Sequence, residues 1–378
     1  MNIQSNFDVL VVYNEKNATS ASSNKKNNLD PFFLSGTRQH YTSAYAYFLK
    51  KCAEKKLSAA FTTSADIIGP GLCSNYWLYK NKKWQKIKKS AFAPIIFDKV
   101  SPLAKNLRKK RELLFSTTLS RPFNDNTLHL LFNDKLKTFK CLENFTIPTV
   151  NITKDTIHSS VLRLKALLAK HKMADDFSES FVVKDRFGAG GIAIHKIEEN
   201  AETAILEILE NAPRTSFILQ PFAIFDKGYS HLKKQGYTDI RIIYSQGKII
   251  QRYIRTAKES DFRCNEHQGG TVSYIKSSDI PKSVTVLSNE ILKVLDYKNA
   301  LFALDFIVSN NGNAYFLEGN INPGIYWGIG SQEDEINTKK LIRAIVNELK
   351  KRSNPITIDV TKPRLKLTSP VPIQVALA

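Results

Sequence analysis

Cysteine is scarce and scattered: Cys52, Cys73, Cys141 and Cys264 are the only four in 378 residues. No CxxC pair and no cysteine–histidine spacing suited to zinc occurs, which excludes a disulfide scaffold and a zinc-finger site. The four read as reduced, mostly buried thiols of a cytosolic protein. No run approaches the roughly 20 apolar residues of a membrane span. The opening Met1–Asp8 lacks the basic and apolar regions of a signal peptide, so a soluble, cytoplasmic protein is expected. Acidic residues are in deficit, 35 Asp and Glu against 55 Lys and Arg, for a net charge of +20. Such a field favours anionic partners (nucleotides, acidic peptides, nucleic acid or a membrane surface), or reflects only a lysine- and asparagine-rich composition. No Ser/His/Asp or Cys/His nucleophilic set is apparent, and no Gly-Lys-Ser/Thr completes a Walker A loop.

What is present suits a folded chain of two or three packed units. With 42% hydrophobic and 24% charged residues, wholesale disorder is excluded. Phe7 to Tyr13 reads as a buried strand, Asn14 to Asn28 as a polar loop, and Tyr41 to Lys55 as a helix with Tyr45, Phe48, Leu49 and Cys52 on one face. Strands near 58–63 and 93–98 complete a small α/β unit ending near residue 120. Between them, Lys80, Lys82, Lys83, Lys86, Lys88 and Lys89 interleave with Trp77 and Trp84. The composition resembles a nucleic-acid patch, yet no RNA-binding motif is recognisable and a solvated hairpin explains it equally well. Helices are expected over 133–144, 156–172, 201–211, 284–295 and 336–352. Phe217 to Phe222 reads as a strand that Pro221 must end or place on a sheet edge. The expected boundaries are 1–120, 121–352 (divided at 215) and a proline-rich tail, 353–378.

Three stretches carry chemistry. Asp239-Ile240-Arg241 opens a pair of apolar strands and is followed by Arg252, Arg255, Lys258, Asp261, Arg263 and Asn265, closing on Gly269-Gly270. Many guanidiniums on one side of apolar strands mark a surface for phosphate or carboxylate. Two further apolar runs flank Asn310-Asn311-Gly312-Asn313, a hairpin signal. With Asn311-Gly312 as a two-residue loop, Asp305 falls directly opposite Glu318, and Asn320 shares the Glu318 face. Facing carboxylates destabilise a sheet unless a cation joins them. Two acids and an amide oxygen suit magnesium, the alternative being a solvated hairpin face. The third stretch, Asp185 to Gly191, sets a glycine-rich loop between two strand-like runs; with Lys184 at its entrance it reads as a phosphate cradle, the alternative being an ordinary glycine-rich hairpin turn.

These parts, in this order, resemble the ATP-grasp superfamily over roughly 121–351, and within it the branch of the ribosomal-protein glutamate ligase RimK. The most specific likenesses are Asp239-Ile240-Arg241, the Arg255–Asn265 run with Gly269-Gly270, and Glu318-Gly319-Asn320-Ile321-Asn322-Pro323-Gly324. The resemblance implies an α/β (α+β) fold of two subdomains gripping ATP, preceded by a small Rossmann-like α/β domain. It also implies an ATP-dependent carboxylate–amine ligase working through an acyl phosphate on an amino acid or peptide. By that resemblance Lys135 and Lys184 contact ATP phosphates under the Gly188, Gly190 and Gly191 loop, and Asp239 lies near the nucleotide. Gln220, Pro221, Phe222 and Ala223 form the adenine-facing hinge. Pro221 stands where many relatives have an acidic residue, and it can accept but not donate, so Phe222 or Ala223 must supply the N–H. Arg241, Arg255, Arg263 and Asn265 surround the transferred phosphate and the acceptor. Asp305, Glu318 and Asn320 hold magnesium (or manganese), as two ions. An ATP-grasp kinase and a non-catalytic ATP-binding regulator are the alternatives; the opposed carboxylates argue against the regulator. Acceptor, amine and oligomeric state stay open, homo-oligomers being common among relatives. The Phe225–Tyr237 insertion and the tail have no counterpart.

Overall fold

A computed structural model of the chain describes residues 4–24, 29–33, 38–100, 105–231, 236–296, 300–328 and 330–353. The tail beyond Ser353 and residues 232–235 of the insertion lie outside these. Among the described residues no helix is long and apolar enough to cross a membrane.

The first sheet is built on Val9–Tyr13, a strand buried along its whole length. It lies between two parallel neighbours, Ala59–Thr63 and Ile95–Lys99. A strand buried on both faces has to be apolar throughout, and Val9-Leu10-Val11-Val12 meets that demand. The lysine-rich segment forms the hairpin Tyr76–Lys80 and Lys83–Ile87 at the sheet's edge. Two of its cations serve the structure: Lys86 Nζ donates to the Ser23 carbonyl at 2.9 Å and Lys88 Nζ to Asn24 Oδ1 at 3.0 Å. Helix Arg38–Glu54 covers one face, and the last helix, Gln332–Ser353, returns to the same core with Leu341, Ile345 and Leu349 against Tyr45, Phe48 and Leu49.

A small second sheet orders Ser5–Asn6, Ala91–Phe92, Leu72–Cys73 and Ile67–Gly69, and two antiparallel sheets follow. The smaller orders Val150–Ile152, Phe217–Ala223, Phe177–Asp185 and Ile194–Ile197, with helices Ile157–Ala169 and Ala201–Asn211 packed on it. Pro221 does not end its strand, which continues to Ala223. Val150–Ile152 pairs only with Phe217, Ile218 and Leu219, so at Pro221 the strand has a neighbour on one side alone. The expected 133–144 helix is shorter, Lys135–Cys141, with Asp134 Oδ1 accepting from the Lys137 N–H as its N-cap.

The larger sheet orders Thr271–Tyr274, Lys248–Thr256, Thr238–Ser245, Leu301–Val308 and Ala314–Asn320. Its even-numbered residues Ile240, Ile242, Phe302, Leu304 and Phe306 pack under helix Lys282–Leu295. The odd positions carry Asp239, Arg241, Tyr253, Arg255 and Asp305, all on the opposite face because side chains alternate along a strand. The hairpin differs from expectation. Its loop spans five residues, 309–313, and Phe306 faces Phe316. A register shift past Phe306 then adds one residue, and Asp305 still faces Glu318.

Candidate active site

The charged face of the larger sheet floors a cleft of about 510 Å³. The glycine loop and the start of helix Lys135–Cys141 form one wall, and the carboxyl ends of the first sheet's parallel strands, at Tyr13 and Lys99, reach another. Crevices at strand carboxyl ends are the usual ligand position in α/β sheets.

Alternating charge fixes the floor. Arg241 donates through Nε and Nη2 to the two Asp305 oxygens at 2.6 and 2.5 Å. Arg255 spans Asp239 at 2.8 and 2.6 Å and also reaches Asp305 Oδ2 at 2.7 Å. The strand register places Arg241 opposite Asp305 and Asp239 opposite Arg255, so each pair needs only its own side chains to close. Burial alone would raise the Asp305 carboxyl; the two guanidiniums override it and hold it at about 2. Arg241 Nη2 lies 3.7 Å from Glu318 Oε1, which places a guanidinium between the two opposed carboxylates. Among the described residues no three His, Cys, Asp or Glu side chains gather as a metal site. The expected set of Asp305, Glu318 and the Asn320 amide supplies two carboxylates, paired across the hairpin, and one amide. Carboxylate and amide oxygens are the donor type magnesium takes, but both Asp305 oxygens already accept from Arg241 and Arg255.

The glycine loop is tied down at both ends. Lys135 Nζ donates to the Gly188 carbonyl, and the Lys135 N–H to the Arg186 carbonyl at 3.0 Å. Arg186 in turn spans the Asp134 carboxylate at 2.6 and 2.7 Å. Gly190 and Gly191 adopt φ of 70° and 75°. At Gly191 a β-carbon would sit 2.7 Å from Asn265 Oδ1, so only glycine lets the loop meet the turn that follows the arginine strand. Gln268 Nε2 donates to the Gly190 carbonyl at 3.3 Å across the same contact. Lys184 lies behind the loop; burial pushes its ammonium down to about 8, with Glu318 opposing and Lys135 adding to the shift.

The cleft brings together Lys135, Gly188, Gly190, Arg241, Arg255, Asn265, Glu318 and Asn320 of the expected set. It does not bring the others to its wall. Asp239 and Asp305 lie beneath the floor, 2% and 0% exposed. Gln220, Pro221, Phe222 and Ala223 are buried; Phe222 and Ala223 belong to an apolar cluster with Val182, Phe225, Ile307 and Tyr315, reaching Leu317 behind Glu318. Gln220 Nε2 donates to Thr149 Oγ1 at 2.7 Å, while its Oε1 is buried without a partner. Arg263 is held by Asp261 at 2.9 Å and lies close enough to His195 to depress that imidazole, after burial, below its ordinary value. The sequence reading missed the aromatic wall of Tyr13, Tyr41, Tyr253, Tyr274, Tyr326 and Trp327, and the acids Glu266 and Asp334. In sequence Tyr41 is only the first residue of an expected helix, and nothing local marks it as facing a cleft.

A glycine loop and a charged sheet closing on one cleft, behind a parallel α/β sheet, define an ATP-grasp architecture. The D-alanyl-alanine synthetase A of Vibrio cholerae superposes with a TM-score of 0.53 at 13% identity, covering 92% of this chain and 99% of that one. The ATP-grasp ligase PsnB, solved with magnesium, ADP and a phosphomimetic variant of its minimal precursor, gives 0.51 at 13% identity over 91% and 99%. Residues 132–345, more than half of the chain, match the RimK-like ATP-grasp domain, and the chain belongs to that family. A probable alpha-L-glutamate ligase of Haemophilus ducreyi is 26% identical over 203 residues, 53% of this chain and 58% of that protein. The chain thus spans little more than half the length of this relative.

Proposed function

We propose that the protein is an ATP-dependent carboxylate–amine ligase that forms an amide bond on an amino acid or peptide. The observation that carries this reading is the shared cleft, in which a phosphate-type glycine loop with Lys135 faces Arg241, Arg255, Glu318 and Asn320. A carboxylate resists attack by an amine, so it must first become an acyl phosphate. Its oxygen attacks the terminal phosphorus of ATP, and ADP leaves. The amine nitrogen then attacks the acyl carbon, loses a proton, and inorganic phosphate departs. Such chemistry needs positioning and charge neutralisation more than a protein nucleophile. Lys135 and Lys184 hold the phosphates under the loop, Arg241 and Arg255 balance the developing negative charge, and Asn265 orients the acceptor. Adenine is assigned to the Gln220–Ala223 hinge by the family resemblance, through the backbone groups of that strand. Asp305, Glu318 and Asn320 would hold two magnesium ions, which screen charge on the phosphate oxygens when bound.

The relatives' glutamate-ligase name and the family membership support this reading over an ATP-grasp kinase. Turnover with ATP and magnesium across amino acids, short peptides and cell extract, with products weighed, tests it. ADP with a condensed product lighter by one water is expected. A product heavier by one phosphoryl group would move the protein to the kinases.

A further inference from the structure

The chain that leaves the larger sheet after Glu318 runs Gly319-Asn320-Ile321-Asn322-Pro323-Gly324-Ile325, and it is strung between two cores. Ile321 is buried in the cluster under helix Lys282–Leu295, and Ile325 in the cluster of the first sheet. A segment with two glycines and a proline has little shape of its own, so its backbone groups need partners from outside. The first sheet and the chain beside it supply them. Lys99, the last residue of strand Ile95–Lys99, donates from Nζ to the Pro323 carbonyl at 3.0 Å and to the Asn322 carbonyl at 3.4 Å. In the amide orientation that its neighbours require, Asn322 Nδ2 donates to the Asp98 carbonyl at 2.9 Å. Asn124 Nδ2 donates to the Ile321 carbonyl at 2.9 Å and the Leu301 carbonyl at 2.8 Å, while its Oδ1 accepts from the Leu301 N–H at 2.9 Å. The preceding Phe123 N–H donates to the Ile96 carbonyl of the first sheet at 2.7 Å.

These contacts converge on Asn320. On its other side, a β-carbon at Gly319 would sit 2.5 Å from the Phe132 ring, so helix Asn126–Phe132 packs directly on the strand there. Asn320 Oδ1 accepts from the Asn322 N–H at 2.8 Å, and Asn322 is the residue the first sheet holds by both carbonyl and amide. Lysines seldom leave solvent without an acid. Lys99 lines the cleft, yet its donors go to two carbonyls of one loop, and it forms no ion pair among the described residues.

Resting on the reading of Asn320 as a cation ligand of the ligase, we infer that Lys99 is a positioning residue: through Asn322 it sets the Asn320 amide at the cleft, which makes the first domain a working part of the cation site. Groups that hold a metal ligand from behind typically govern affinity by about 10–100-fold. The sign separates this role from simple electrostatics. An ammonium repels a divalent cation, so loss of the Lys99 charge alone would tighten cation binding. Loss of the prop loosens it.

The test titrates manganese into the full chain with ADP and counts the free ion by electron paramagnetic resonance, a readout independent of turnover. Lys99→Met should weaken manganese about tenfold. Lys99→Arg, which keeps donors for both carbonyls, should recover most of that loss. Asn320→Ala should weaken manganese at least as much, and adding Lys99→Met to it should cost nothing more, since the prop then has no ligand to hold. Unchanged metal-free ADP binding in each variant reports an intact fold. Manganese binding that is unchanged or tighter in Lys99→Met, additive losses in the double variant, or an Asn320→Ala without effect overturns the inference. Coupled losses in a chain that makes no amide from any acid would keep the inference and remove the ligase reading. Amide product with additive losses would do the reverse.

Discussion

Replacing Arg255 with methionine isolates the worth of the buried charges beneath the cleft. Both oxygens of Asp239 accept from Arg255, and Asp239 is 2% exposed. The substitution leaves a buried carboxylate without its hydrogen-bonded cation, at a cost of about 3–5 kcal/mol. Asp305 suffers less, since it keeps two bonds from Arg241. The pH dependence has a definite sign. Burial raises the Asp239 carboxyl and Arg255 works against it, so removing Arg255 moves the folded value further above the unfolded one of about 3.9. A raised folded value gives stability that is fully present below the unfolded value and lost as pH rises through the folded one. The variant should therefore lie close to the parent at pH 4 and fall furthest behind at pH 7. Urea unfolding followed by far-UV circular dichroism at the two pH values measures this. Adding Asp239→Leu should recover most of the loss, because the pair is then removed whole. A cost below ~1 kcal/mol at pH 7, the size of an exposed pair, or an equal cost at both pH values, would refute the account.

Three further outcomes are expected. Glu318→Ala should lower magnesium-dependent turnover by about 100-fold or more while leaving the circular dichroism unchanged, the Glu318 side chain being 25% exposed on an outer strand; retained turnover would remove it from the site. Gly191→Ala should cost about 1 kcal/mol of stability from its positive φ and push the loop off Asn265, raising the KM for ATP severalfold. An unchanged KM would show that the loop does not cover the nucleotide. Lys184 is charged below about 8 and neutral above it, so ATP affinity of the free protein should fall as pH rises through 8; Lys184→Arg should flatten that profile in a fluorescent-nucleotide titration.

Local pattern carried the longer strands, most of the helices and the glycine loop, because burial by period two or 3.6 is written into neighbouring residues; helices Lys105–Leu114 and Asn126–Phe132 were not read. The hairpin shows where local reasoning stops. Asp305 does face Glu318, but through a five-residue loop and a compensating register shift, not the tight turn that Asn311-Gly312 suggests. The wider loop is held from far away. The 1%-exposed Asp176 accepts from Asn311 at 2.8 Å, Asn313 at 2.9 Å and the Tyr315 hydroxyl at 2.5 Å. No window around residue 311 contains Asp176. The aromatic wall was illegible for the same reason: Tyr41 and Tyr326 are 285 positions apart in sequence and meet only when the first sheet docks.

That docking also explains why the floor can hold so much charge. Asp239, Arg241, Arg255 and Asp305 alternate in sign, so the face is close to neutral before any ligand arrives. A neutral lattice stays buried at tolerable cost, whereas arginines alone would demand solvent. The same lattice sets the cost of using it. Any cation that takes Asp305 and Glu318 as ligands competes with the Arg241 guanidinium already lying between them. An Arg241 displaced in this way carries its charge into the cleft, where a transferred phosphate would need it.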